Sequence, residues 1–310
     1  MSRSGKPAYV TFATEMPANI KAHIALLGAS IIFGINYWVA KGLMPDYLCP
    51  EQIVFLRIAG AFLLFFFFSL FAPSEKVEKR DLWRIIIAGF FGTALNQYLF
   101  FKGLNLTTPV DVAIIHVSNP IFTLVFAIVL IRERVTFLKA IGILLGATGA
   151  VVLILYSGNI SLSSDTFTGN LLALLNTLAY AVYLVLIKPM MVKYKPFTVM
   201  KWVFFVGFVF CVPATLPSML EISFATFNTS TWLSLVYVVV ATTFLAYLLT
   251  IFSLKYVEAS VASYYIYLQP FIASVIAFWL GKQDFTFAKG LAATLIFVGV
   301  YFVSRKRGTG

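Results

Sequence analysis

Polar side chains set within apolar runs are where this sequence could do chemistry. His116, Asn119 and Thr123 stand at i, i+3 and i+7 in a stretch otherwise rich in Ile, Val, Phe and Leu, so a helix puts them on one face. Pro120 has no N–H, which leaves the carbonyl of His116 without its intrahelical partner and marks a kink. Such a face can bind a polar solute or can hydrogen-bond a neighbouring helix. Thr93, Asn96 and Gln97 form a second polar face. Tyr265 and Gln269 form a third, one turn apart, with Pro270 beside them as a second kink and with Tyr264 and Tyr267 on other faces. Asn36, Trp38, Asn176, Tyr180 and Tyr183 are further candidates on two other runs, where the facing side is open.

The chemistry these residues allow is binding. No Asp or Glu lies deep in an apolar run, since Glu51 and Asp111 sit at run ends. There is no carboxylate pair, no Ser-His-Asp spacing and no Gly-rich phosphate loop, so no activated nucleophile is visible. Cys49 and Cys211 make no disulfide framework, and with two His in the chain no metal site is expected. No cofactor is implied. Arg57 is the one basic residue inside a run rather than at its end. It lies a few residues from that end, so its head is expected to snorkel to the surface.

The elements that carry these residues follow from composition. The chain has 310 residues, 61% of them hydrophobic and 11% charged, and its mean hydropathy is +0.93. A soluble chain carries roughly 25% charged residues, so too little polar surface is available here for a soluble globule. Ten apolar runs are long enough to cross about 30 Å of hydrocarbon. They are predicted over 21–39, 53–71, 82–101, 110–131, 137–155, 170–190, 197–218, 232–254, 261–280 and 287–303. Continuous runs of this length are helices, because lipid offers the backbone no partners. The first run begins too far in for a typical signal peptide and reads as a retained helix.

The net charge of +11 does not point to nucleic acid, because the basic residues sit between the runs. With the N-terminus inside, only Lys41, Lys102, Lys282 and Lys289 fall outside; of the 23 Lys and Arg, all others except Arg57 fall inside. That asymmetry sets the orientation and makes both termini cytoplasmic.

The chain also contains one stretch twice. A shift of 150 positions carries Thr93 to Thr243, Gln97 to Tyr247, Asn119-Pro120 to Gln269-Pro270, Thr136-Phe137 to Thr286-Phe287 and Gly149 to Gly299, with no gap. Tyr247 thereby joins the site candidates. Each half holds five helices, an odd number, so the halves enter the membrane from opposite sides. Such inverted repeats are the architecture of many secondary transporters, with the substrate site at the midplane between the halves. The predicted division is a cytoplasmic segment 1–20, a first repeat 21–156, a connection 157–169, a second repeat 170–304 and a basic tail 305–310. The Gly142/Gly146 pair allows close helix approach, inside the bundle or in a dimer.

Phe33-Gly34-x-Asn36 followed by Lys41, then Leu56-Arg57, Asn119-Pro120, Arg132-Glu133-Arg134-Val135-Thr136 and Gly142/Gly146/Gly149 resemble an EamA-type domain. Tyr180, Lys188, Gln269-Pro270 and Thr286 repeat the pattern less faithfully. The chain therefore resembles the EamA family of the drug/metabolite transporter superfamily over nearly its full length. The resemblance implies ten helices, a cavity shared by helices 1, 3, 4, 6, 8 and 9, and export of metabolites such as amino acids. Gln283 departs from the family, which usually has Glu there.

The expectation is a secondary exporter of small, net-neutral polar or amphipathic solutes in the plasma membrane, such as a bacterial inner membrane, as a monomer or weak homodimer. A cationic-drug exporter needs a deep carboxylate and a sugar-phosphate exchanger needs cavity Lys or Arg. A lipid-linked carrier flippase, or a nucleotide-sugar or drug exchanger of the same fold, stays open, because fold does not fix function. A membrane sensor or intramembrane enzyme finds no support in the residues.

Overall fold

The computed structural model describes residues 17–73, 75–134, 136–155, 164–279 and 287–304. All regular structure among them is helical. In chain order the helices are α1 (Ala18–Leu43), α2 (Pro50–Leu70), α3 (Lys79–Leu106), α4 in two pieces (Pro109–His116 and Asn119–Ile131), α5 (Phe137–Leu155), α6 (Ser164–Lys193), α7 (Pro196–Met219), α8 (Thr229–Leu254), α9 (Ala259–Tyr264, Tyr265–Tyr267 and Leu268–Trp279) and α10 (Phe287–Ser304). Seven helices among the described residues are long and apolar enough to cross a membrane. Large apolar side chains such as Leu63, Phe67, Val129 and Trp279 point outward, as lipid-facing surfaces require.

The packing follows a pattern. α1 lies against α8 and α9, and α6 lies against α3 and α4. α2 packs on α7, and α5 packs on α10. Exchange of helices 1–5 with helices 6–10 maps this set of pairs onto itself. Gly142 and Gly146 are used inside the bundle. A Cβ on Gly146 would meet the Tyr264 hydroxyl at 2.4 Å, and one on Gly299 would meet the carbonyl of Gly142 at 2.7 Å. The missing side chains let α5, α9 and α10 close together.

Each of the four helices α3, α4, α8 and α9 is irregular in its middle. α3 widens into a π-helical stretch at Phe90–Leu95, and α8 does so at Tyr237–Leu245. Threonines serve the carbonyls in these wide turns: Thr93 donates to Gly89 O at 2.5 Å and Thr243 to Val238 O at 2.7 Å. The predicted continuous helix 110–131 is interrupted instead. It stops at His116 and restarts at Asn119, so Pro120 sits in a first turn, where a missing N–H costs nothing. In α9 a 3-10 turn at Tyr265–Tyr267 precedes Leu268, and Pro270 lies in the opening turn of the next piece.

Polar ties close the helix ends. Lys41 at the end of α1 donates to the carbonyls of Leu104, Asn105 and Thr107 at 2.8, 3.1 and 3.2 Å. Lys188 on α6 donates to the carbonyl of Val257 at 2.7 Å and to that of Leu254. Each ammonium therefore meets the negative end of a helix, α3 in one case and α8 in the other. Lys139 pairs with Glu133 and Glu258, and Ser260 bonds Glu133, which joins the α4–α5 turn to the start of α9. Outside the spans, Lys193 and Arg80 bond Glu78 and hold its carboxyl below the usual carboxylate range.

Candidate functional site

A central cavity lies among α1, α2, α3, α4, α6, α8 and α9. Its walls are Phe33, Asn36 and Tyr37 from α1, Arg57 from α2, Asn96, Gln97 and Phe100 from α3, and His116 and Asn119 from α4; from the other half come Asn176, Thr177 and Tyr180 from α6, Tyr247 from α8, and Ile266 and Gln269 from α9. Asn36, Asn96, Gln97, His116, Asn119, Tyr180, Tyr247 and Gln269 are thus brought together from stretches far apart in sequence.

Four other candidates are not among these lining residues. The Trp38 indole donates to the carbonyl of Ala273 at 3.2 Å. Thr93 spends its hydroxyl on Gly89 O and lies where a Cβ on Gly207 would meet it. Tyr183 is fully buried with its ring over Gly92, and its hydroxyl reaches the Met200 sulfur at 3.8 Å. The Tyr265 hydroxyl bonds His23 Nδ1 at 2.8 Å, while its carbonyl accepts from Ser30. Tyr37 takes the place expected of Trp38. One residue is a rotation of about 100° on a helix, enough to exchange the two faces. Tyr37 was legible as the i+4 partner of Phe33, which shares the cavity wall.

The polar groups form a chain across the halves. The Asn176 amide nitrogen donates to Asn96 O at 2.7 Å, which turns its Oδ1 toward His116 Nε2, also at 2.7 Å. Nε2 therefore carries a proton. On the other side of the ring, Nδ1 lies 2.6 Å from the Tyr37 hydroxyl, which also reaches Gln269 Oε1 at 3.0 Å. In neutral His116, Nδ1 accepts the single Tyr37 proton, and Gln269 must then present its NH₂ to the phenol oxygen. In protonated His116, Nδ1 donates to Tyr37, and Tyr37 donates to Gln269 Oε1. The orientation of the Gln269 amide is thus tied to the His116 proton. Both readings of His116, solute site and helix–helix bond, meet here, since it joins α1 to α6 and also faces the cavity.

Asn119 is an internal tie. Its Nδ2 donates to Thr177 O at 2.9 Å and its Oδ1 accepts from Thr123 at 3.1 Å. The Tyr247 hydroxyl donates to Gly92 O at 3.0 Å, and Thr242 donates to Asn36 Oδ1 at 3.1 Å. Gln97 differs from all of these. Its side chain is buried, it comes near the Tyr247 hydroxyl, and yet neither Oε1 nor Nε2 makes a hydrogen bond of acceptable geometry.

Arg57 corrects the expectation of snorkelling. It is 3% exposed and lines the cavity. Its Nε donates to Thr243 Oγ1 at 2.7 Å, and its guanidinium carbon lies 4.8 Å from the centre of the Phe101 ring. A hydroxyl acceptor and an aromatic face inside the bundle hold the head there. The cavity therefore contains a fixed positive charge, and the lining residues include no Asp or Glu.

The model of the EamA-like transporter family matches residues 20–155 and again 167–305. An uncharacterized transporter of Archaeoglobus fulgidus is 26% identical over 93% of this chain and 99% of its own length. The uncharacterized transporter YyaM of Bacillus subtilis is 25% identical over 92% of this chain and 94% of its own. A probable terminal-alkyne amino-acid exporter of Streptantibioticus cattleyicolor is 25% identical over 75% of this chain and 76% of its own. One crystal structure superposes with a TM-score of 0.71 at 19% identity, covering 92% of this chain and 94% of that one, a likeness of fold. With the family's model matched twice along an all-helical, lipid-facing bundle, this chain is a multi-pass membrane protein and belongs to the EamA-like transporter family.

Proposed function

We propose that this transporter is a secondary exporter of small polar or amphipathic metabolites, amino acids and similar solutes in particular. It works by alternating access around the central cavity. The observation that carries this is the make-up of the cavity wall, which draws amides and aromatic rings from both halves of the chain. A polar, aromatic-lined cavity of this kind suits a small amphipathic solute, whose polar groups meet amides and whose side chain meets rings.

The ten helices are read as ten spans, with residues 21–156 and 170–304 as two repeats of opposite orientation. Packing that is unchanged when the halves are exchanged supports this, as does the double match of the family model. On the asymmetry of Lys and Arg between the loops, we read both termini as cytoplasmic and the membrane as a plasma membrane such as a bacterial inner membrane. The exporter from Streptantibioticus cattleyicolor lends the amino-acid class some weight. A dianionic phosphate fits less well, because one guanidinium leaves one of its charges uncompensated.

The test is counterflow in proteoliposomes with a panel of labelled amino acids. Saturable exchange of at least one of them, absent from protein-free vesicles, is the expected result. Folded, reconstituted protein that exchanges none of the panel would refute the proposed substrate class.

A further inference from the structure

Arg57 places a fixed charge in the cavity, and no acidic side chain among the described residues pairs with it. Nε is committed to Thr243 and one face of the group to Phe101. The two terminal nitrogens, with four N–H donors, have no hydrogen-bond or ion-pair partner among the described residues. A buried guanidinium without a counter-charge is costly at membrane depth, and such residues mark solute paths. Gln97, on another part of the same wall, is the second polar group left without a partner. The other cavity amides each hold at least one partner: Asn96 and Asn176 bond one another's carbonyls, Asn119 bonds Thr177, Asn36 accepts from Thr242 and Gln269 from Tyr37. The guanidinium fork and the wholly unpartnered Gln97 amide therefore stand out on the wall.

We infer that Arg57 is a carboxylate-binding subsite, with Gln97 as a second contact for the same solute. The inference rests on the transport reading above and names the group that is recognised. A guanidinium fork matches the two oxygens of a carboxylate, and the pair is stronger than neutral hydrogen bonds. One carboxylate offsets the one charge. An ammonium on the same solute meets no acidic side chain on the wall, only amide oxygens, hydroxyls and rings. Recognition therefore runs through the carboxylate, and the amino group is dispensable. Thr243 and Phe101 fix the fork in place, so little ordering is needed when the solute arrives.

The experiment uses the purified full-length protein and four probes that share one branched apolar chain: leucine, 4-methylpentanoate, leucinamide and isopentylamine. Ligand-induced thermal stabilisation in detergent is measured for the wild type, Arg57→Gln and Arg57→Lys. Leucine and 4-methylpentanoate should stabilise the wild type, and the amide and the amine should not. Arg57→Gln should weaken both carboxylates by at least about tenfold, the loss expected for a hydrogen bond to a charged group. Arg57→Lys should keep part of the binding, because the charge remains while the fork is lost. The lysine variant also guards against a folding defect, since a structural tie alone would not separate acids from amides. Equal stabilisation by all four probes, stabilisation by the amines alone, or none by either carboxylate would overturn the inference. Labelled-leucine exchange in vesicles separates the two readings. Exchange inhibited equally by all four probes sinks the carboxylate subsite and leaves transport standing, whereas exchange absent for the whole amino-acid panel sinks the substrate class itself.

Discussion

Gln97 and Asn119 look alike in sequence, two amides in apolar helices, yet their removal should move stability in opposite directions. Gln97 is 2% exposed and both of its amide atoms are unpartnered. Each buried group left unpaired costs about 1–3 kcal/mol. Replacing Gln97 with Leu, of similar volume, removes two such penalties and should stabilise the protein by about 2 kcal/mol or more. Asn119 is 2% exposed but fully engaged with Thr177 and Thr123. Asn119→Ala strands both partners and should cost about 2–4 kcal/mol. The assay is thermal unfolding in detergent, paired with exchange in vesicles. Gln97→Leu should melt a few degrees higher than the wild type and exchange solute poorly, the pattern of a group kept for function at the expense of stability. Asn119→Ala should melt lower. A lower melting temperature for Gln97→Leu, or wild-type exchange by it, would refute the view that its unmatched amide belongs to the solute.

Three further outcomes are expected. Gly92→Ala would bring a Cβ to 2.1 Å from the Tyr183 ring, so it should sharply lower the yield of folded protein, and Tyr183→Leu in the same chain should restore much of it; equal yields for Gly92→Ala and wild type would count against the packing described. Cys at position 195 or 80 should stay unlabelled by an impermeant thiol reagent applied to intact cells, while Cys at 165 or 282 should react; position 282 lies outside the described residues, and outside labelling at 195 would reverse the proposed orientation. Exchange should persist without a pH gradient, because no acidic side chain lines the cavity among the described residues; abolition of flux by collapsing the gradient, in the wild type and in His116→Gln alike, would show a coupling that His116 does not carry.

Much of the bundle was legible before any coordinates. Long apolar runs can satisfy their backbone in lipid only as helices, so α1, α2, α6, α7 and α8 follow from hydropathy. The wide turns and the break at 117–118 were not, because they depend on threonine hydroxyls and on which turn admits a proline. In the site, Asn96 and Gln97 on α3 and His116 and Asn119 on α4 could be grouped by helical spacing, and Tyr247 on α8 by the 150-residue shift, whereas Thr93 and Tyr265, grouped by spacing as well, turn to other partners. On α1 the sequence left the choice of face open, since Phe33 and Tyr37 lie on one side of the helix and Trp38 on another. Arg57 could not be placed from its position alone. Its fate depends on Thr243 and Phe101, and no local pattern reports a partner that far away in sequence.

The paired wide turns of α3 and α8 bear on how the gene can change. A π-turn holds one more residue in its ring than an α-turn, so it absorbs an extra residue while the helix on either side keeps its rotational phase. Deleting one residue within 90–95 would let α3 run on as a plain helix with Gln97 and Phe100 still turned to the cavity. The same deletion within 237–245 would leave Tyr247 facing Gly92. In a regular turn of either helix a one-residue deletion would instead rotate everything beyond it by about 100°. A change of length is therefore all-or-none for the wall everywhere in α3 and α8 except in these two stretches. Single-codon deletions should be tolerated better there than in the regular turns that follow them.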